Sequence, residues 1–185
     1  VMNFPPGFLE QLTGTAGFSK DAFAAAHTSG LSVTSVRLNP LKPLPVFPPS
    51  SLKISGGILS DLTISPIPWC DTGYYLSERP SFTFDPLFHA GTYYVQEASS
   101  MFLEQAMKQS VDISAPLKVL DLCAAPGGKS THLQSLISKE SVLVSNEVIR
   151  ARSFILRDNI IKWGGDNVVV TNNDPKDFAR LEHYF

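Results

Sequence analysis

The residues best suited to chemistry lie together at positions 121–130, in the run Asp-Leu-Cys-Ala-Ala-Pro-Gly-Gly-Lys-Ser. A largely apolar stretch, 117–120, precedes this run and a helix-like stretch, 131–137, follows it, which predicts a strand, a tight loop of small residues and a helix. Such a loop lets a ligand approach the backbone, and the free N–H groups of the following helix favour negative charge. The run therefore predicts a site for a small anionic or zwitterionic cofactor.

Two acidic residues follow the next two predicted strands. Glu147 comes after the strand 141–145, about 20 residues beyond the loop, where a carboxylate suits the two hydroxyls of a ribose. The alternative is a solvated acid at a helix start. Asp174 comes after the strand 167–171, where a carboxylate can accept from an exocyclic amine such as that of adenine. The alternative there is a turn residue within Asn-Asn-Asp-Pro.

Two further side chains of the loop have mixed interpretations. Lys129 follows the paired glycines and is placed to meet a carboxylate or phosphate, or to be a surface lysine in a first helical turn. For Cys123 we expect a buried strand end that contributes to the pocket through its backbone. Because no histidine is near it in sequence, we do not expect Cys123 to be a nucleophile.

The elements that must position these residues alternate between strand and helix. This pattern predicts an α/β fold with a parallel, doubly wound sheet over residues 66–185, in which ligands sit at the carboxyl ends of the strands. Residues 1–65 predict a small α/β appendage and a proline-rich linker. The predicted elements are a helix at 19–27 capped by Ser19, a strand at 31–38, a linker at 40–50, strands or ordered loops at 69–75 and 92–95, and helices at 97–109 and 149–163.

Composition narrows the class of protein. With 185 residues, 43% hydrophobic and 17% charged, the chain can form a core, and its net charge of −2 is unlike that of a strongly basic nucleic-acid module. Cys70 and Cys123 form neither a disulfide framework nor a zinc spacing, which favours a reducing, cytoplasmic location. No apolar run approaches the roughly 20 residues of a spanning helix, and no signal peptide is expected at the start, so we expect no membrane partner.

A phosphate-binding P-loop is the rival interpretation from another class. The run Gly128-Lys129-Ser130 matches the end of that motif, but its first glycine would fall on Cys123, and Pro126 stiffens the middle. A nucleotide hydrolase also needs a magnesium-holding acid after an apolar strand, and none is obvious. A module that binds cofactor or RNA without doing chemistry is the third interpretation.

The residues 121–130 resemble the cofactor motif of the Nop/Sun family of RNA cytosine-C5 methyltransferases. Residues 91–101 and the Arg-x-Asn motif at 37–42 are similar to other segments of that family, and Asn146-Glu147 and Asn173-Asp174-Pro175 resemble its bacterial small-subunit ribosomal RNA branch. The resemblance covers nearly the whole chain from about Phe8.

The resemblance implies the first half of a Rossmann-like domain that binds S-adenosyl-L-methionine. It implies that the methionine part contacts Cys123, Ala124, Ala125, Pro126, Gly127, Gly128 and Lys129, that Glu147 holds the ribose and that Asp174 approaches the adenine. Arg152 is either near the cofactor or a solvated helix residue. The implied substrate is ribosomal RNA, with transfer RNA as the second choice.

The family's reaction uses a cysteine thiolate that attacks carbon 6 of cytosine, and a second cysteine that helps release the product. Both cysteines belong to later family motifs, a Pro-Cys and a Thr-Cys segment, onto which neither Cys70 nor Cys123 maps. We therefore assign no catalytic residue and expect this chain alone to be inactive. We also expect the edge of its first parallel strand to promote self-association.

Overall fold

The computed structural model describes residues 4–29, 33–44, 46–47, 53–54 and 57–185. Contacts between residues divide the chain into two compact units, residues 1–33 and 34–185. The first unit contains α1 (Phe8–Gln11) and α2 (Lys20–Thr28). The Ser19 side chain accepts a hydrogen bond from Ala22 N, as predicted for an N-cap.

Four antiparallel strands form the first sheet of the second unit: β1 (Thr34–Leu38), β4 (Ile64–Pro66), β5 (Gly73–Leu76) and β6 (Tyr93–Val95). Their order in the sheet is β4-β5-β1-β6. All five residues of β1 are buried, because it lies between two partners and its side chains are covered on both faces. The predicted division at residue 65 falls within β4; that division stays a prediction.

Short elements surround this sheet. The strands β2 (Val46–Phe47) and β3 (Lys53–Ile54) pair with each other, so part of the stretch predicted as a linker at 40–50 forms a strand and part lies outside the described residues. The helix α3 (Pro86–His89) and the 3-10 helices Gly57–Asp61 and Phe82–Phe84 complete this part. The core beneath the sheet consists of Val36, Leu38, Leu59, Leu62, Ile64, Leu76, Phe82 and Tyr93.

The second sheet is parallel, with the order β7-β8-β9. Its strands are β7 (Lys118–Asp121), β8 (Val142–Asn146) and β9 (Val168–Thr171), connected by α5 (Gly128–Leu136) and α6 (Arg150–Trp163). Both helices pack on one face, with Leu133 of α5 and Leu156 of α6 in clusters that share Val168. Strands added in one direction place successive crossover helices on the same face, as in the first half of a doubly wound sheet.

The remaining elements adjoin the parallel sheet. The predicted helix 97–109 is a 3-10 helix (Ala98–Phe102) followed by α4 (Leu103–Ser110), and the 3-10 helix Pro175–Arg180 follows β9. The predicted strand at 31–38 begins at Thr34, and residues 31–32 lie outside the described part. Among the described helices, none has the length and apolarity needed to cross a membrane.

Candidate cofactor site

The loop between β7 and α5 turns sharply at Gly127. This residue has φ +113°, and a Cβ there would lie 3.3 Å from Leu156 Cδ1. Gly127 N donates to Ala124 O at 2.8 Å and closes the turn. A side chain at this position would be strained by the backbone and crowded by α6, so the conformation requires glycine.

Three side chains from two elements, α6 and β1, hold the carbonyl groups of this loop. Arg152 Nη2 donates to Ala125 O at 2.8 Å, and Asn159 Nδ2 donates to Pro126 O at 2.8 Å. From the other sheet, Arg37 Nη2 donates to Gly128 O at 3.3 Å. Because the carbonyls face these donors and the first amides of α5 have no intrahelical acceptor, the loop presents N–H groups to a ligand.

The start of α5 is fixed by two hydroxyl groups. Ser130 Oγ donates to Asp121 Oδ2 at 2.7 Å, which ties the helix to the end of β7. Thr131 Oγ1 accepts from Arg37 Nη2 at 2.6 Å and donates to Gly127 O at 2.8 Å. Hydrogen bonds of these two hydroxyls therefore hold the loop at both ends.

Asn146, at the end of β8, joins all three strand ends. Its Nδ2 donates to Leu122 O and Asn173 O, at 3.2 and 3.0 Å. Its Oδ1 accepts from Thr171 Oγ1 and Asn173 N, both at 2.9 Å. The three polar strand ends predicted from the sequence lie together at one edge of the sheet because this buried amide satisfies groups from each of them.

Glu147 and Asp174 lie on this edge in different surroundings. Glu147 is buried; its Oε1 accepts from Ile149 N at 3.0 Å and its Oε2 lies 3.4 Å from Arg152 Nη1. Asp174 is exposed and caps the last 3-10 helix by accepting from Lys176 N at 2.9 Å. Arg152 thus bridges the loop and the acid, which favours the interpretation that places it near the cofactor.

A cavity of about 180 Å³ opens between the loop and the antiparallel sheet. Six of the nine predicted residues line it, and Gly127, Glu147 and Asp174 do not. The lining residues are Tyr94, Gln96, Ser100, Cys123, Ala124, Ala125, Pro126, Gly128 and Lys129. Lys129 is exposed, and so is Cys123, for which the expectation of burial is wrong.

The sequence did not predict that the antiparallel sheet forms one wall of this cavity. Gln96 is buried and follows β6; Arg37 Nε on β1 donates to its Oε1 at 2.9 Å. Arg37 is itself buried, with its guanidinium carbon 4.4 Å from the ring centroid of Trp163, and burial lowers its pKa to about 9. The signals available were the similarities of residues 37–42 and 91–101 to family segments, and neither similarity indicates contact with the loop.

A buried polar cluster supports α5 on its far side. Cys70 Sγ, a Glu104 oxygen and a His132 ring nitrogen lie within 4.8 Å of one another, a set that is able to hold a metal ion. Lys108 Nζ, however, lies 2.7 Å from Glu104 Oε1 and already supplies a positive charge. We interpret the cluster as a hydrogen-bonded network, in which His132 Nε2 lies 3.1 Å from Glu104 Oε2.

The ionisation of this cluster follows from its burial. Burial, and then Glu104, raise the pKa of the Cys70 thiol to about 11, which opposes thiolate formation. Burial alone would raise the pKa of Glu104, but hydrogen bonds led by that of Lys108 lower it to about 2. Burial, and then the charge of Arg37, lower the pKa of His132 to about 4. At neutral pH the cluster therefore has a neutral thiol, a neutral imidazole and an ionised carboxylate.

A larger cavity, about 650 Å³, lies against the opposite face of the parallel sheet. Val144 and Val169 line it from the sheet, and Phe178, Leu181 and Tyr184 line it from the C-terminal segment. It contains none of the predicted site residues and is separated from the loop by the sheet itself.

A parallel sheet with a glycine-turned loop after its first strand and an acid after its second defines the first half of a Rossmann-like methyltransferase fold. A solved structure of a methyltransferase homolog protein from Pyrococcus horikoshii agrees, with TM-score 0.67 and 25% identity over 96% of this chain and 60% of that one. The family model described as the N-terminal domain of 16S rRNA methyltransferase RsmF matches residues 4–98, and that of 16S rRNA methyltransferase RsmB/F matches residues 110–183. The chain belongs to this RsmF family of 16S rRNA methyltransferases.

Named relatives support the same assignment. The chain is 35% identical to the ribosomal RNA small subunit methyltransferase F of Escherichia coli strain K12 and to that of Shigella sonnei, over 95% of this chain and 36% of each relative. The chain thus spans about a third of the length of the relatives it matches. The resemblance to the ribosomal RNA branch is confirmed, and the P-loop alternative does not correspond to the family that the models match.

Proposed function

We propose that this chain binds S-adenosyl-L-methionine and forms the cofactor-binding part of an enzyme that methylates carbon 5 of a cytosine in 16S ribosomal RNA. The observation that carries the proposal is the loop itself, whose carbonyl groups accept from Arg37, Arg152 and Asn159 and whose residues line a cavity. Ribosomal RNA is preferred to transfer RNA because the relatives are named for it.

The residues of the site fit the parts of such a cofactor. Residues 123–129 would wrap the methionine part, and Asp121, which gives one oxygen to Ser130, has a second oxygen for the ammonium group. Glu147 would accept from the ribose hydroxyls, since each carboxylate oxygen can accept more than one hydrogen bond. Val148 is 53% exposed beside it and offers an apolar surface to the adenine, whose amine Asp174 would approach.

The bound cofactor would supply an electrophilic methyl group. The contribution of this chain is to hold and orient it, since neither cysteine suits the family's nucleophile. Cys70 is buried, with a pKa raised to about 11, and Cys123 lies in the cofactor loop. We expect no labelled product when the 185-residue chain alone is mixed with 16S ribosomal RNA and methyl-labelled cofactor.

Isothermal titration tests the binding. We expect heat with S-adenosylmethionine or S-adenosylhomocysteine and none with ATP and magnesium. Glu147→Ala removes the proposed ribose acceptor and should weaken binding about tenfold or more, because two hydrogen bonds are lost. Glu140→Ala, at an exposed acid of the preceding turn, is the matched control and should bind as the parent does. Binding of ATP and magnesium without binding of either sulfur cofactor would refute the proposal.

A further inference from the structure

The orientation of the Gln96 side chain is fixed by its partner. Arg37 Nε can only donate a hydrogen bond, so the atom 2.9 Å away must be the amide oxygen of Gln96. The amide nitrogen, Nε2, is therefore the free end. It is buried and has no hydrogen-bond partner within the described ranges. A buried donor without an acceptor is costly, so its presence points to a ligand that supplies one.

The Gln96 side chain lies beside the cofactor loop, at the wall of its cavity. Gln96 lines the cavity together with Ser100 and Lys129. A Cβ built on Gly128 would lie 3.9 Å from Gln96 Nε2 and 3.4 Å from Tyr94 Cε1, so the amide and the phenol ring lie directly against the loop. The absence of a side chain at Gly128 keeps the space between them open.

The chemistry of these groups indicates the part of the ligand that binds there. Gln96, Ser100 and Lys129, whose side chains carry an amide, a hydroxyl and an ammonium group, line one small cavity. This combination of donors and positive charge is complementary to a carboxylate. Resting on the proposed function, we propose that Gln96 Nε2 donates to the carboxylate of the cofactor's amino-acid part, and that Arg37 is the positioning residue that orients Gln96.

The surroundings of Arg37 make it suitable for this role. Its guanidinium lies over Trp163 and its Nη2 donates to Thr131 Oγ1 at 2.6 Å. The same side chain thus contacts α6, the start of α5 and Gln96. A displacement of β1 would move the amide donor, so the antiparallel sheet is part of the cofactor site and sets its geometry.

Two ligands that differ in the amino-acid part test the inference. S-adenosylhomocysteine has the carboxylate, and 5′-methylthioadenosine has the same adenosine and sulfur without it. The main variant is Gln96→Glu, which retains an acceptor for Arg37 and so preserves the packing, but replaces the donor with a carboxylate. We expect its affinity for S-adenosylhomocysteine to fall about tenfold or more, while its affinity for 5′-methylthioadenosine changes less than twofold.

A second variant of Gln96 and a control at another buried glutamine separate loss of the donor from general destabilisation. Gln96→Met removes the donor without adding charge and should show a smaller loss in the same direction. Gln134→Met replaces another buried glutamine with unpartnered amide atoms, away from this cavity, and should leave the ratio of the two affinities unchanged. If both Gln96 variants keep the parental ratio, or weaken both ligands equally, the inference is wrong. If the parent chain binds neither ligand, the proposed function itself is wrong.

Discussion

His132 should make the fold sensitive to acid well above the pH at which carboxylates titrate. Its ring is 1% exposed, and burial and the charge of Arg37 lower its pKa from 6.5 to about 4. The unfolded chain accepts a proton on this residue near pH 6.5, whereas the folded chain does so only near pH 4. Because the unfolded state binds more protons between these values, the stability from His132 is complete above pH 6.5 and is lost as the pH falls toward 4.

The size of the effect follows from the two pKa values. The difference between 6.5 and about 4 corresponds to a loss of about 3 kcal/mol in the free energy of unfolding. Glu104 adds little in this range, because hydrogen bonds to Lys108, Cys70 and His132 lower its pKa to about 2 against burial. Its contribution is lost only below its unfolded value of 4.5. The loss between pH 6.5 and 4.5 therefore reports His132.

Urea unfolding followed by tryptophan fluorescence, at intervals from pH 4.5 to 7.5, measures this loss. His132→Gln keeps a donor for Glu104 and cannot titrate, so its stability should change much less over the same range. His183→Gln, at an exposed histidine, is the matched control and should follow the parent. If His132→Gln loses as much stability as the parent between pH 6.5 and 4.5, His132 is not the titrating group and the reasoning fails.

Three further outcomes are expected. Gly127→Ala should lower the free energy of unfolding by about 1–3 kcal/mol and weaken cofactor binding, because φ is +113° and a Cβ would contact Leu156. The control is Gly14→Ala, where φ is +96° and the space is open, so that its thermal melt measures the backbone strain alone. A chain of residues 34–185 should melt cooperatively, whereas one of residues 66–185 should not, because it lacks the central strand of the first sheet. Light scattering of the 185-residue chain should show self-association through β7, which pairs with β8 alone among the described strands; a monodisperse monomer would contradict this.

The parallel half of the fold could be predicted closely from the sequence because its signals are local. The helix expected at 149–163 is found at Arg150–Trp163, since apolar spacing and Gly164 mark its face and its end. The helix expected at 97–109 begins as a 3-10 helix. Trp69 Nε1 donates to Ala98 O at 2.7 Å and engages the carbonyl that a continuous α-helix would pair with the Phe102 amide. Such a tertiary hydrogen bond has no local signal.

The candidate site likewise has one part with local sequence signals and one part that depends on tertiary contacts. The loop and the acid at Glu147 could be proposed from the sequence because each follows a predicted strand at a characteristic spacing. The contact between Arg37 and Gln96 joins residues on either side of an antiparallel pairing, in which Arg37 lies opposite Tyr94. The two residues are 59 positions apart, a separation set by the lengths of the segments between β1 and β6. No periodicity or motif in the sequence predicts this contact.

Burial of the charged Arg37 side chain is unfavourable, and the size of this penalty allows a structural role to be distinguished from a role in the cofactor site. Burial lowers its pKa from 12.5 to about 9, which corresponds to a penalty of about 5 kcal/mol on the charged form. Stacking over Trp163 stabilises the charged form by about 2 kcal/mol, and hydrogen bonds to neutral acceptors offset most of the remaining penalty. In the described part of the chain, no carboxylate lies within 4 Å of the Arg37 guanidinium. Arg37→Met should therefore change stability by less than about 2 kcal/mol in a thermal melt, because penalty and contacts are lost together. The same variant releases the Gln96 amide, so its preference for S-adenosylhomocysteine over 5′-methylthioadenosine should fall as it does in Gln96→Met. A large loss of stability with an unchanged preference would instead make Arg37 a purely structural residue.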